Sequence, residues 1–411
     1  MDPRITSYPK EKIKILLVEN ISPTAVSEFH KAGYSQIEEL IPALEEKDLI
    51  EKIKDVHILG IRSKSQITKN VIDNANKLIG IGAFCIGTNQ IDLDASTSQG
   101  IAVFNSPYSN TRSVAELILA FSIVLIRKIP EKNQGAHIGE WLKDASGCYE
   151  LRGKTLGIIG YGHIGSQVSV LAEALGLRVT YYDIEPKLPL GNAMSLNSLE
   201  ELLSISDIVT LHVPGNETTK NMLDEIHLKM LKRGSIVLNL ARGDVMDLNA
   251  LRRMIETGHV MGVAVDVFPH EPKGKDEAFV SPLQGLKNVI LTPHIGGSTV
   301  EAQQNIGLDV ATKLVNYLDS GSSVGSVSIP ALNLPVQKNT NRILHIHQNV
   351  PGVMSEINGT LSRLNVNIMG QFLKTNDQIG YVVLDVEKQE NTELLNELKK
   401  VKSTLRSRVL Y

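Results

Sequence analysis

Residues 156–169 read LGIIGYGHIGSQVS, and no other stretch of the chain limits the fold as tightly. An apolar run ends in Gly160-x-Gly162-x-x-Gly165, and a helix-forming segment follows at once. Such a glycine pattern alone is a common turn. Here the next apolar run, RVTYYD, ends in Asp183, eighteen residues past Gly165. Gly160 permits a tight turn, Gly162 lets the backbone approach a pyrophosphate, and Gly165 lets the helix lie on the strand. The opening amides of that helix, at His163 and Ile164, would then face phosphate oxygens. Asp183 would accept hydrogen bonds from ribose hydroxyls and repel a 2′-phosphate, which favours NAD over NADP.

The rest of the chain repeats the same alternation. Apolar runs occur at 13–18, 57–61, 78–83 and 101–105, then at 155–160, 178–183, 207–213, 235–240, 260–267 and 288–293, with helical stretches between several of them. Runs without polar alternation suit strands buried on both faces of a parallel sheet. The order predicts α/β architecture with two doubly wound parallel-sheet domains. Between the two blocks, SVAELILAFSIVLIRK predicts a helix capped by Ser113 with Glu116, its apolar body buried between domains. The Ser-, Gly- and Pro-rich segment 319–340 reads as a linker. Beyond it the runs follow the order β, α, β, β, α, β, that of a ferredoxin-like module of 340–411.

With 411 residues, 42% hydrophobic and 21% charged, the chain has ample material for buried cores. A net charge of −3 gives no nucleic-acid footprint. Two cysteines make neither a disulfide framework nor a metal cluster, and the cytoplasm is the simplest home. The longest apolar stretch, 117–126, is too short to span a membrane, and the charged N-terminus is no signal peptide.

Hydride transfer at an alcohol carbon needs a base, a group that orients the base, and a cation for the substrate carboxylate. Three apolar runs of the second block end near such residues: NLARGD offers Arg242, VDVFPHEP offers Glu271, and LTPHIGGS offers His294. Arginine can fork onto a carboxylate, and a glutamate can hold an imidazole N–H. Singly, each has an ordinary reading: a carbonyl cap, a Glu-Pro turn, a solvated loop histidine. Their joint position at strand ends, beside the glycine loop, is what carries the reading. His212, in LHVP, and Asp266 are further candidates for lining the cofactor.

NLARGD, VDVFPHEP and LTPHIGGST beside GYGHIG resemble the D-2-hydroxyacid dehydrogenase family. More narrowly, FCIGTNQIDLDA, NSPYSNTRSVAEL, PKLPLGNA and HIHQNVPGV resemble its short bacterial branch acting on 3-phosphoglycerate. The resemblance implies that Arg242, Glu271 and His294 form the catalytic set. It implies a discontinuous substrate domain, 1–108 with 297–330, around a Rossmann-type NAD domain, 109–296. Arg62, Ser63, Asn110 and Lys143 match substrate-contacting positions, and Trp141 matches a residue packed into a neighbouring subunit. Two departures concern the phosphate: Lys64 replaces a frequent arginine, and LIPALEE lacks a lysine near position 41. The tail resembles an ACT domain, which implies L-serine as effector through His347, Asn349 and Asn367, with His345 on the same strand face, and a homotetramer. Other 2-hydroxy acids (glyoxylate, D-lactate or 2-hydroxyglutarate) are alternative substrates. A nucleotide-sensing interaction protein is the alternative outside enzymes.

Overall fold

The computed structural model describes residues 8–272, 277–335, 337, 339–388 and 392–410. These divide into two compact units, 110–302 and a second made of 1–109 with 303–411.

In the unit 110–302 the strands are β6 (Thr155–Ile159), β7 (Arg178–Tyr182), β8 (Met194–Ser195), β9 (Ile208–Leu211), β10 (Ser235–Asn239), β11 (Val260–Val265) and β12 (Val289–Leu291), numbered after five strands of the other unit. All pair in parallel, in the order β12-β11-β10-β9-β6-β7-β8. Counted from β6, this is the doubly wound nucleotide-binding order, which reverses between β6 and β9. Strands β9 and β10 are buried throughout, as expected of interior parallel strands.

The helix Thr111–Ile126 packs on this unit's own core, beside Tyr161, Val168 and Leu238. Its apolar body is therefore covered by this unit's own core. Ile118 and Leu125 have no exposed surface, so truncating either to alanine would cost roughly 2–5 kcal/mol. The cap differs from expectation. The N-cap is Asn110, without a side-chain cap bond, and Ser113 lies inside the first turn. The Ser113 hydroxyl is drawn off by Thr299, 2.8 Å away, a tertiary partner that spacing does not show.

The other unit opens with β1 (Lys14–Leu17), β2 (Gln36–Glu39), β3 (Ile58–Ile61), β4 (Gly80–Ala83) and β5 (Ala102–Asn105), in the parallel order β2-β1-β3-β4-β5. The order reverses between β1 and β3, the switch point of this sheet. Strand β2, with sequence QIEE, has no apolar run to announce it, because it is an edge strand with mostly exposed residues. The helix Val300–Ser320 sends Ile306, Val310, Ala311, Leu314 and Leu318 into the core.

The tail adds β13 (Thr340–Gln348), β14 (Ile368–Thr375), β15 (Ile379–Glu387) and β16 (Thr404–Val409), antiparallel in the order β14-β15-β13-β16. The helices Val353–Arg363 and Thr392–Lys400 cover one face, on Ile343, Val382 and Leu384. The other face turns Leu344, Ile346 and Tyr381 into the core that holds Phe104, Leu314 and Tyr317. A sheet covered on both faces explains why β13 and β15 are buried along all but their last residue. Arg342, fully buried, forks onto Asp385 at 2.7 Å and also donates to the carbonyls of Ser320 and Pro335.

The segment expected to be a linker is stitched to β5. Val327 N–H donates to the Val103 carbonyl, Val103 N–H donates to the Ser328 hydroxyl, and that hydroxyl donates to Ile101. Its serines are there to satisfy the open edge of a strand, so their presence does not signal freedom.

Candidate active site

The parallel sheet β6–β12 carries the proposed cofactor and reacting residues of its unit at one end of its strands. The glycine loop follows β6, Asp183 follows β7, His212 follows β9, Arg242 follows β10, Glu271 follows β11 and His294 follows β12. These are carboxyl ends, where open α/β sheets bind ligands.

His294 Nδ1 lies 2.8 Å from Glu271 Oε2. Facing a carboxylate, Nδ1 carries the proton, which leaves Nε2 as the basic nitrogen. The hydrogen bond to Glu271 lifts His294 above the ordinary histidine range, against the opposing effect of burial. Burial works against the charge on Glu271, but the His294 bond, the Phe268 amide and the nearby positive charges prevail and hold it below the usual carboxylate range. The Phe268 amide donates to Glu271 Oε1 at 3.1 Å. Arg242 contributes positive potential to both groups. Its guanidinium donates to its neighbour's carbonyl, Ala241, at 2.7 Å and forms no ion pair among the described residues. A fork without a carboxylate is available to an anionic substrate.

Three supports of this arrangement lie inside the NLARGD and VDVFPHEP stretches, and sequence reasoning assigned none of them this role. Asn239 accepts from the Ala241 amide and donates to the Arg242 carbonyl, which shapes the arginine loop. Gly243 lies so close to Phe268 that a Cβ would stand 2.0 Å from its carbonyl carbon. His294 has φ 54, a left-handed conformation uncommon for any residue but glycine. Its loop is held by Asp266, with no exposed surface. Its carboxylate accepts from Thr292 Oγ1 at 2.6 Å and from the amides of Ile295 and Gly296 at 2.8 Å. The sequence marked Asp266 for the cofactor; in the structure its oxygens are engaged by the His294 loop.

The glycines divide as their chemistry requires. Gly160 has φ 91, and a Cβ there would meet the His212 carbonyl at 2.6 Å. A Cβ on Gly165 would meet the Gly160 carbonyl at 2.3 Å. At Gly162 a Cβ would meet nothing within 4 Å. No protein atom requires glycine there, so the open space above the helix His163–Ala174 suits a ligand's pyrophosphate. Asp183 accepts from the Tyr161 amide at 2.8 Å and from Glu185 at 3.0 Å, which pins it beside the glycine loop with lone pairs to spare. His212 is held neutral, burial pushing it down to about 3. Its Nε2 pairs with Thr210 Oγ1 at 3.0 Å, while Nδ1 is buried without a partner among the described residues.

The proposed substrate groups are spread more widely. Asn110 is buried beside Gly297, and its Oδ1 has no partner among the described residues. Lys143 is exposed next to Trp141, which is 85% exposed. Arg62 and Ser63 follow β3 in the other unit. Cys85 is partly buried; its thiol is pushed up to about 11 by burial, which keeps it inert at neutral pH.

In the tail, His345 and His347 face the same way, with their Nδ1 atoms 3.3 Å apart. Burial, then the neighbouring His347, brings His345 down to about 4. Asn349 donates to the Asn376 carbonyl at the same end of the sheet. Asn367 precedes β14 and lies elsewhere. His347 pairs with Gly380, whereas Ile368 pairs with Val386, six residues along β15. At ~3.4 Å per residue that is about 20 Å.

Residues 119–296 match the D-isomer specific 2-hydroxyacid dehydrogenase, NAD binding domain family. Residues 343–406 match the AHAS small subunit-like ACT domain family. D-3-phosphoglycerate dehydrogenase of Haemophilus influenzae is 51% identical over 405 residues, covering 98% of this chain and 99% of the relative. The chain belongs to the D-3-phosphoglycerate dehydrogenase family. The Escherichia coli K12 member is 49% identical, again over 98% of this chain and 99% of its own. Among solved structures, D-lactate dehydrogenase from Aquifex aeolicus complexed with NAD and lactic acid superposes with a TM-score of 0.66 at 25% identity, covering 77% of this chain and all of that one. A D-3-phosphoglycerate dehydrogenase family member thus pairs an NAD-binding domain with an ACT domain, and both regions appear in the structure as separate sheets.

Proposed function

We propose that the chain oxidises 3-phosphoglycerate to 3-phosphohydroxypyruvate with NAD, the entry to serine synthesis. The observation that carries the reading is the His294–Glu271 pair, at the same sheet edge as an open glycine loop. NAD, when bound, supplies the hydride acceptor. His294 Nε2 takes the proton of the C2 hydroxyl while Glu271 stabilises the imidazolium. Arg242 forks onto the substrate carboxylate, and Arg62, Ser63, Asn110 and Lys143 serve the remaining polar groups. Asp183, taken up with ribose hydroxyls, sets the preference for NAD. The test is oxidation of NADH with 3-phosphohydroxypyruvate, glyoxylate, pyruvate and 2-oxoglutarate in parallel. A higher kcat/KM for any unphosphorylated acid would reassign the substrate, and no turnover with any would leave a nucleotide-sensing protein.

The tail is proposed to bind L-serine between two copies in a homotetramer. Support comes from the ACT-domain match and from the distance between Asn367 and the His347–Asn349 end, too long for one small amino acid to bridge within a single chain. A two-fold axis would bring one end of each sheet to the other. Asparagine can read both the α-carboxylate and the α-ammonium without a net charge. His347→Ala should raise the serine concentration for half-inhibition at least tenfold; an unchanged value would place serine elsewhere. No helix among the described residues is long and apolar enough to cross a membrane. Cytoplasmic residence suits the two free cysteines.

A further inference from the structure

The loop Arg62–Ser65 leaves the carboxyl end of β3, and β1 ends beside it at the switch point of the first sheet. Its backbone is held from both sides. On one side Gln90 Nε2 donates to the Arg62 carbonyl at 2.6 Å, with the Cys85 thiol at 3.5 Å from the same oxygen. On the other, the Lys64 amide donates to Glu19 Oε2 at 3.0 Å and the Ser65 amide to Glu19 Oε1 at 2.8 Å. The Ser65 hydroxyl also accepts from the Leu44 amide at 3.3 Å. By contrast, the Arg62 guanidinium and the Ser63 hydroxyl have no hydrogen-bond partner among the described residues. The main chain is secured, and the groups that could meet an anion are left open.

Glu19 itself is 7% exposed and lies at φ 65, followed by Asn20 at φ 53. Two successive non-glycine residues in the left-handed region are unusual. They are maintained by the bonds from the Glu19 amide to Pro42 and from the Asn20 amide to Leu40, both 3.2 Å. This turn carries the Glu19 side chain under the loop, where two amides converge on two oxygens. Only a carboxylate accepts at both positions; a glutamine would oppose its own NH2 to one of the amides.

We infer that Glu19 is a positioning residue for recognition of the substrate's phosphate: it presets the Arg62–Ser65 loop so that Arg62 and Ser63 meet the anion without rearrangement. The inference rests on the reading of this loop as part of the substrate site. Glu19 touches neither substrate nor cofactor in this role and acts through Arg62 and Ser63. Preset groups bind without the cost of ordering a loop, and a small displacement of such groups is expensive.

The test compares 3-phosphohydroxypyruvate with hydroxypyruvate, the same 2-oxo acid without phosphate. Glu19→Gln should raise KM for the phosphorylated substrate at least tenfold, with kcat within threefold of the parent enzyme. KM for hydroxypyruvate and the Kd for NADH should hold. Gln90→Leu, which frees the loop from the other side, should shift KM in the same selective way and decides the matter if Glu19→Gln does not fold. Arg62→Ala separates the two claims. A normal KM for the phosphorylated substrate in Arg62→Ala overturns the phosphate reading of the loop, and the role of Glu19 with it. A raised KM in Arg62→Ala beside a normal KM in Glu19→Gln, or equal losses for both substrates, overturns the role of Glu19 alone.

Discussion

Two buried carboxylates do the same work in the two parallel sheets. Asp266, after β11, accepts two backbone amides and a hydroxyl from the loop after β12. Glu19, after β1, accepts two amides from the loop after β3. Each spends its oxygens on a neighbouring strand's loop. What they hold differs. Asp266 holds the loop of His294, the proposed proton-transfer group, whereas Glu19 holds the loop of Arg62, proposed only to bind. Loosening the first should therefore appear in kcat, and loosening the second in KM. That contrast is open to experiment.

The largest effect belongs to the held base itself. His294→Ala should lower kcat at least ~10²-fold, the lower range for general acid–base catalysis, with the NADH Kd retained. Stopped-flow turnover and fluorescence titration would measure both, and a tenfold loss or less would remove His294 from the proton-transfer step. Next, Asp266→Asn opposes an amide NH2 to the amides it now accepts. We expect kcat to fall roughly 30-fold, about 2 kcal/mol, within the range for a charge-assisted bond replaced by an unsatisfied one. If KM rises and kcat holds, the contrast between the two carboxylates collapses.

A smaller effect probes the glycine loop. Gly162→Ala meets no protein atom, so thermal stability should hold while the NADH Kd rises about tenfold, ~1.4 kcal/mol. Gly165→Ala should do the reverse at the level of folding, because its Cβ would press on the Gly160 carbonyl. Loss of stability in both would show that Gly162 is needed by the protein and not by a ligand.

The smallest effect is a displacement along the pH axis. Glu271 raises His294, so Glu271→Gln should lower it. Oxidation needs the neutral base, and its rise with pH should move to lower pH. Reduction needs the imidazolium, and its loss should begin at lower pH as well. Profiles in both directions that coincide with the parent enzyme would break the pairing.

How much of this was legible follows from how local each interaction is. Gly160, Gly162, Gly165 and Asp183 lie within one strand–helix–strand unit, so their spacing alone announces them. Arg242, Glu271 and His294 each follow an apolar run that a sequence shows directly. Strand β2 escaped because its mostly exposed residues carry no periodic signal. The linker reading of 319–340 failed because Ser and Gly composition is the same whether a segment is free or bonded along β5. Ser113 failed as a cap because its partner, Thr299, is 186 residues away.

Hydrophobic periodicity and glycine spacing by themselves determined the alternating α/β order, the nucleotide-binding loop and the strand ends that carry the reacting groups. Those features depend on neighbours in the chain, and a sequence displays neighbours. Tertiary structure alone decided that Asp266 serves the His294 loop, that Glu19 underlies Arg62, and that the tail's sheet buries its second face against Phe104 and Tyr317. Each of these is a contact between residues far apart in sequence. A buried hydrogen-bond acceptor is chosen by whichever amides the fold brings to it, and no local pattern encodes that choice.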